Sequence, residues 1–253
     1  MFDAHLHIFP RGVPLPGDAG FVPAPFAVED YRAATAGLGI EGGAVVAAST
    51  QDPDPAPLLA AAAALGPGFV VVAEALPEQD EADFARLAAL GVRGLRYNLH
   101  RRARFGPGEA ARHAARAAPF GLHAEIYCDA ARLAPHVAAL ARLPRLALDH
   151  LGLSEAGLPV TCDLARAGAK VKATGFGRVS LDVPRALEAI ARAAPDSLMA
   201  GTDLPSTRAA RPFRPDDLAL LREVLGPLAA AAFADTAWAF YRGSPPGPRA
   251  TRP

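Results

Sequence analysis

The run Phe2-Asp3-Ala4-His5-Leu6-His7-Ile8 decides the fold. It is short, apolar and too brief for a helix, so it predicts a strand. An open doubly wound sheet normally carries a glycine-rich turn after its first strand, and here a histidine pair stands in that place. Seven further runs rich in Val, Ile and Leu recur at 43–48, 69–75, 92–97, 122–127, 145–149, 170–174 and 198–201. Between them lie Ala/Leu/Arg segments of helical period, such as 57–65, 81–90, 130–143 and 183–194. Asp129 is placed to open one helix, and Gly66 and Gly91 to close others.

Eight strands, each followed by a helix or a helix-length connection, imply a parallel sheet. At 253 residues they imply an α/β fold of the closed (β/α)8 type, a single TIM barrel with its active site at the C-terminal mouth. Residues 1–242 read as that barrel. Residues 243–253, rich in Pro, Gly and Arg, read as a frayed tail.

Composition narrows the function classes. Half the residues are hydrophobic (51%) and 21% are charged, which excludes a disordered chain. Twenty-six basic and 26 acidic side chains cancel, so no electrostatic footprint points to nucleic acid or an anionic membrane. No apolar run approaches the roughly 18 to 20 residues of a membrane span. Met1-Phe2-Asp3-Ala4-His5 has no basic region leading into an apolar one, and Cys128 and Cys162 suggest no disulfide framework. The expectation is a reduced, cytoplasmic enzyme acting on a small molecule.

Reading the end of each strand gives His5 and His7, Ser49, Glu74, Arg96, Tyr127, His150, Thr174 and Asp203. Strand alternation puts His5 and His7 on one face, pointing into the barrel, with Leu6 and Ile8 turned toward the helices. Asp203 alone would read as a turn cap before Pro205. Beside three imidazoles its carboxylate belongs to a group that can hold a divalent metal or activate water. Arg96 lies at the mouth by parity, with Arg102 in the loop above it and Arg178 in the loop after the seventh strand. Three guanidiniums over one pocket imply a substrate carrying carboxylates. His123 reads as a buried partner of Glu125, Cys128 as inert, and His100, His113 and His136 as surface residues. Lys170 and Lys172 receive no role.

Four motifs in order resemble the amidohydrolase superfamily: Asp3-Ala4-His5-Leu6-His7, Arg93-Gly94-Leu95-Arg96-Tyr97-Asn98, Asp149-His150-Leu151-Gly152 and Gly201-Thr202-Asp203-Leu204-Pro205. Within it, the chain is most similar to the amidohydrolase-related group that contains 2-pyrone-4,6-dicarboxylate lactonase, over almost its whole length to about Tyr241. The resemblance implies a distorted barrel and lactone hydrolysis. It implies a catalytic set of His5, His7, His150 and Asp203. Substrate contacts would come from Arg96, Arg102, Arg178, Tyr127 and Ser49. Metal-dependent members of the superfamily carry a histidine where this chain has Tyr127, a substitution shared with the lactonase branch, whose hydrolysis needs no essential metal. Leu153 stands where that branch has an arginine, and Phe21 where it has a tyrosine, so the resemblance implies a small carboxylated lactone without committing to the pyrone dicarboxylate itself.

The expected chemistry has Asp203 as general base on water, with the histidines polarising the carbonyl and no essential cofactor. A first alternative places Zn²⁺ or another divalent metal on His5, His7, His150 and Asp203, serving an amidohydrolase or decarboxylase. Lactone isomerisation by the same residues is a second. A barrel that binds a carboxylated metabolite without transforming it is a third.

Overall fold

A computed structural model describes residues 1–101 and 103–242. Eight strands form one sheet in chain order: β1 Phe2–Leu6, β2 Gly42–Val46, β3 Phe69–Glu74, β4 Val92–Asn98, β5 His123–Tyr127, β6 Leu146–Leu148, β7 Lys170–Ala173 and β8 Leu198–Ala200. Every adjacent pair from β1–β2 to β7–β8 is parallel. All eight expected strands are present, each within a few residues of its sequence reading. Helices α1 Val28–Ala34, α2 Ala56–Leu65, α3 Glu81–Ala89 and α4 Pro107–Ala117 occupy the first four connections. They are followed by α5 Val137–Leu140, α6 Leu158–Arg166, α7 Val183–Ala193, α8 Pro215–Leu225 and α9 Thr236–Arg242. The result is the α/β barrel expected from the alternation. Residues 243–253, expected as the tail, lie outside the described residues, as does Arg102.

The seam between β8 and β1 is joined just beyond β8. Asp203 N donates to His5 O and His7 N donates to Leu204 O, both at 2.8 Å. Below these bonds the buried Asp3 carboxylate accepts from Thr202 N, Thr202 Oγ1, Tyr31 Oη and His5 N. Gly201 permits the approach, because a Cβ there would stand 2.8 Å from Asp3 Oδ1 and 2.9 Å from Ala4 N.

Helix punctuation follows local chemistry. Asp80 and Asp182 cap α3 and α7 by accepting backbone N–H groups. The long helix expected over 130–143 is instead a 3-10 segment, Ala130–His136, leading into the single turn of α5. Pro135 lies inside it and cannot donate the backbone bond that an α-helix needs there. No helix among the described residues is long and apolar enough to cross a membrane.

Two apolar layers lie between sheet and helices, one around β1 to β6 and one around β7 and β8. A third cluster fills the barrel interior, where Phe2 stacks on Tyr241 with ring centroids 5.1 Å apart and meets Trp238 edge-on at 4.9 Å. Strict alternation would put Phe2, Ala4, Leu6 and Ile8 on one face. Phe2 and Ala4 pack inside, whereas Leu6 and Ile8 pack in the outer layer. The register shift between Asp3 and Leu6 accounts for this: one irregular residue slips the alternation and lets His5 and His7 follow Phe2 and Ala4 inward. His113, expected at the surface, is buried on α4. Its Nδ1 lies 2.9 Å from the Tyr97 hydroxyl, with the rings of Phe84 and Phe105 against it.

Candidate active site

The strand ends converge on a cavity of about 30 Å³, room for a water or two. His7, Ser49, Arg96, Tyr127, His150 and Arg178 line it, and His5 and Asp203 are buried immediately beneath. Two of these residues sit in left-handed backbone at the ends of their strands, His150 at φ 51° and Asp203 at φ 58°. Such conformations are costly outside glycine and persist where the surroundings enforce them. At Asp203 the bonds from its N–H to His5 and from Ser206 N to its carbonyl do so.

Asp203 is the centre of the arrangement. Arg178 Nε and Nη2 donate to its Oδ2 at 2.7 and 2.5 Å. Its Oδ1 accepts no hydrogen bond among the described residues and faces His5 Nε2 at 3.8 Å and His150 Nε2 at 3.9 Å. His5 Nε2 lies 3.3 Å from His7 Nε2. His7 Nδ1 lies 2.7 Å from Val46 O, and His150 Nδ1 lies 2.8 Å from Thr174 Oγ1. Tyr127 packs edge-on against His150, with the Arg96 guanidinium 4.9 Å from its ring centre. Ser49 donates to Asp18 Oδ2 at 3.0 Å.

Burial sets the electrostatics. It raises the Asp203 carboxyl to about 6 against the opposing pull of Arg178. Burial, then the charge of Lys172, lowers His5 to about 4. His7 and His150 fall well below the ordinary imidazole range, again chiefly through burial. Near neutral pH the site therefore holds three neutral imidazoles and one carboxylate, clamped by a guanidinium.

Arg96 is engaged below the cavity as well as in it. Its Nε and Nη2 reach Asp149 Oδ2 at 3.1 and 3.0 Å, and Nη1 donates to Ala47 O at 2.8 Å. Asp149 and Lys172, neither assigned a role by sequence reasoning, form the layer under the histidines. Lys172 Nζ lies 3.1 Å from both His5 Nδ1 and Asp149 Oδ1 and also donates to Glu125. Burial works against both carboxylates, but Lys172 holds Glu125 at about 2 and Asp149 well below its usual range. Glu125 also meets His123 Nε2, as expected, and accepts from Tyr241 Oη. Strand parity was the signal for Lys172, which shares a face with the strand-end Thr174. Of the two departures noted from the lactonase pattern, Leu153 is buried and Phe21 lies under the Arg208 guanidinium at 4.6 Å.

Among the described residues, two groups of side chains are close enough to hold a metal ion: His5, Asp149 and His150, and His5, His7 and Asp203. His5 is common to both.

The family model for amidohydrolases matches residues 2–243. A candidate 2-pyrone-4,6-dicarboxylic acid hydrolase from Pseudomonas putida is 25% identical, over 95% of this chain and 96% of its own, with a TM-score of 0.78. A protein from Agrobacterium tumefaciens, solved in apo form, is 24% identical over 96% of each chain, with a TM-score of 0.80. An amidohydrolase from Burkholderia multivorans with bound zinc is 19% identical over 95% of this chain and 98% of its own, with a TM-score of 0.73. No curated protein matches in sequence.

Proposed function

The chain belongs to the amidohydrolase family, and on that premise we propose that it hydrolyses a small lactone bearing one or more carboxylates. The observation that carries this reading is the buried Asp203, raised to about 6, with one oxygen on Arg178 and the other turned to His5 and His150. Asp203 Oδ1 takes a proton from water as that water attacks the lactone carbonyl. N–H donation from neutral His5 and His150 polarises the carbonyl and stabilises the oxyanion, while His7, whose N–H is held by Val46 O, supports His5. The tetrahedral intermediate then collapses, the ring C–O bond breaks and Asp203 returns its proton to the leaving oxygen. An enol leaving group needs little assistance because it is weakly basic.

Arg178, Arg96 and Arg102 orient the carboxylates, with Tyr127 and Ser49 completing the pocket. Fixing the substrate against the base lowers the barrier by an amount on the order of several kcal/mol. Arg178 is the side chain whose present partner, the Asp203 carboxylate, a substrate carboxylate replaces in kind. The Pseudomonas putida relative, a candidate hydrolase of a pyrone dicarboxylate, supports the same substrate class.

The zinc-bearing relative favours a metal-dependent second reading. In that reading His5, His7 and Asp203 would hold Zn²⁺, and the chemistry it would supply is a lowered pKa for a bound water. Steady-state hydrolysis of mono- and dicarboxylated lactones, on chelator-treated and zinc-supplemented protein, separates the two. Turnover indifferent to chelation supports the Asp203 mechanism. Turnover lost on chelation and restored by zinc overturns it in favour of the metal.

A further inference from the structure

Proton positions along the buried histidines follow from their partners. Val46 O can only accept, so His7 Nδ1, 2.7 Å away, carries a proton. His7 is buried, where an unpaired charge is costly, and as a neutral ring it has its lone pair on Nε2. His5 Nε2, 3.3 Å from that lone pair, is therefore the donor between them. Neutral His5 then has its lone pair on Nδ1, and there it meets Lys172 Nζ at 3.1 Å, an ammonium that can only donate. Two constraints, one from a carbonyl on β2 and one from a lysine on β7, arrive independently at the same tautomer.

A metal ion needs a nitrogen lone pair, not an N–H. His5 belongs to both groups of side chains that could hold an ion. Between His5 and Asp149, the Lys172 ammonium already stands where a cation would, 3.1 Å from Nδ1 and 3.1 Å from Oδ1. Toward His7 and Asp203, His5 presents Nε2–H. Without Lys172, Asp149 Oδ1, 3.4 Å from Nδ1, becomes the natural acceptor for an Nδ1 proton. The lone pair then moves to Nε2, the carboxylate–histidine–metal arrangement of a ligating imidazole.

We propose that Lys172 is a positioning residue that sets the His5 tautomer, directing Nε2–H toward His7 and Asp203 and keeping divalent metal off His5. The residues as they stand do not fit a metal bound through His5. A lysine at this place on β7 converts a metal-ligand constellation into a hydrogen-bond donor. The inference rests on the geometry of the site and not on the lactone substrate.

The test uses the full chain labelled with ¹⁵N-histidine, with His5 assigned by comparison with His5→Gln. Long-range ¹H–¹⁵N spectra should show a pyrrole-type Nε2 and a pyridine-type Nδ1 for His5, unchanged when Zn²⁺ is added to chelator-treated protein. In Lys172→Met the two nitrogens should exchange character, and zinc affinity by calorimetry should rise at least about tenfold, the usual scale for a group that orients a metal-binding histidine. An Nδ1–H tautomer in the native protein, or uptake of zinc with movement of the His5 signals, overturns the proposal. So does a folded Lys172→Met protein with both properties unchanged. If that variant fails to fold because Glu125 and Asp149 lose their cation, the native spectrum and native zinc titration decide the matter alone. A failure to hydrolyse lactones leaves the tautomer result standing.

Discussion

Arg178 places two guanidinium nitrogens on a single oxygen of Asp203, at 2.7 and 2.5 Å, while the other oxygen of that carboxylate accepts no hydrogen bond among the described residues. The carboxylate is thus held on one side and open on the other. Its proton affinity is a balance between burial, which raises it, and Arg178, which lowers it.

The pH dependence follows from that balance. Asp203 must be ionised to accept a proton, and it is protonated below about 6. kcat/KM is therefore expected to rise with pH, reach half its plateau near pH 6 and stay flat above it. Burial lowers His5 to about 4 and His7 and His150 well below their usual range, so these imidazoles add no limb near neutrality. A profile descending from pH 5 to pH 7 is incompatible with Asp203 as base.

Asp203→Asn keeps the shape of the side chain and removes its basicity. Turnover should fall by about 10³-fold, the usual scale of general-base catalysis, while calorimetric binding of a carboxylated ligand persists. Retained turnover would assign the base elsewhere.

Arg178→Gln acts on binding and on the base together. KM for a carboxylated lactone should rise, because a bidentate partner for carboxylate is lost. Removing the cation also removes a downward pull on Asp203, so the midpoint of the kcat/KM profile should move above its native value. A raised KM with an unmoved midpoint would mean that Arg178 serves the substrate alone.

Asp3 ties β1 to the chain after β8 and to α1. Asp3→Ala leaves the Tyr31 and Thr202 hydroxyls and the N–H groups of His5 and Thr202 without their acceptor in a buried seam. At ~1–3 kcal/mol per orphaned buried group, the loss should exceed about 3 kcal/mol in urea unfolding. A loss below about 1 kcal/mol would show that the seam is held by its backbone bonds alone.

Much of this molecule is legible in the chain itself. Strand and helix periods are properties of neighbouring residues, so the eight alternating units, their order and the polar residues at their ends could all be read without coordinates. His5, His7 and His150 were brought to Asp203 by that reading, because strand ends in a parallel barrel share one mouth. What an imidazole or a carboxylate does there depends on groups far away in the chain. Lys172 meets His5 across the barrel, Asp149 takes Arg96 from a strand two places away, and Arg178 folds back onto Asp203. The slip at Asp3–Leu6 and the burial of His113 depend likewise on packing between elements. Local spacing determined which residues reach the mouth. Closure of the barrel, by stripping them of water and choosing their partners, decided which carry a proton and which carry a lone pair.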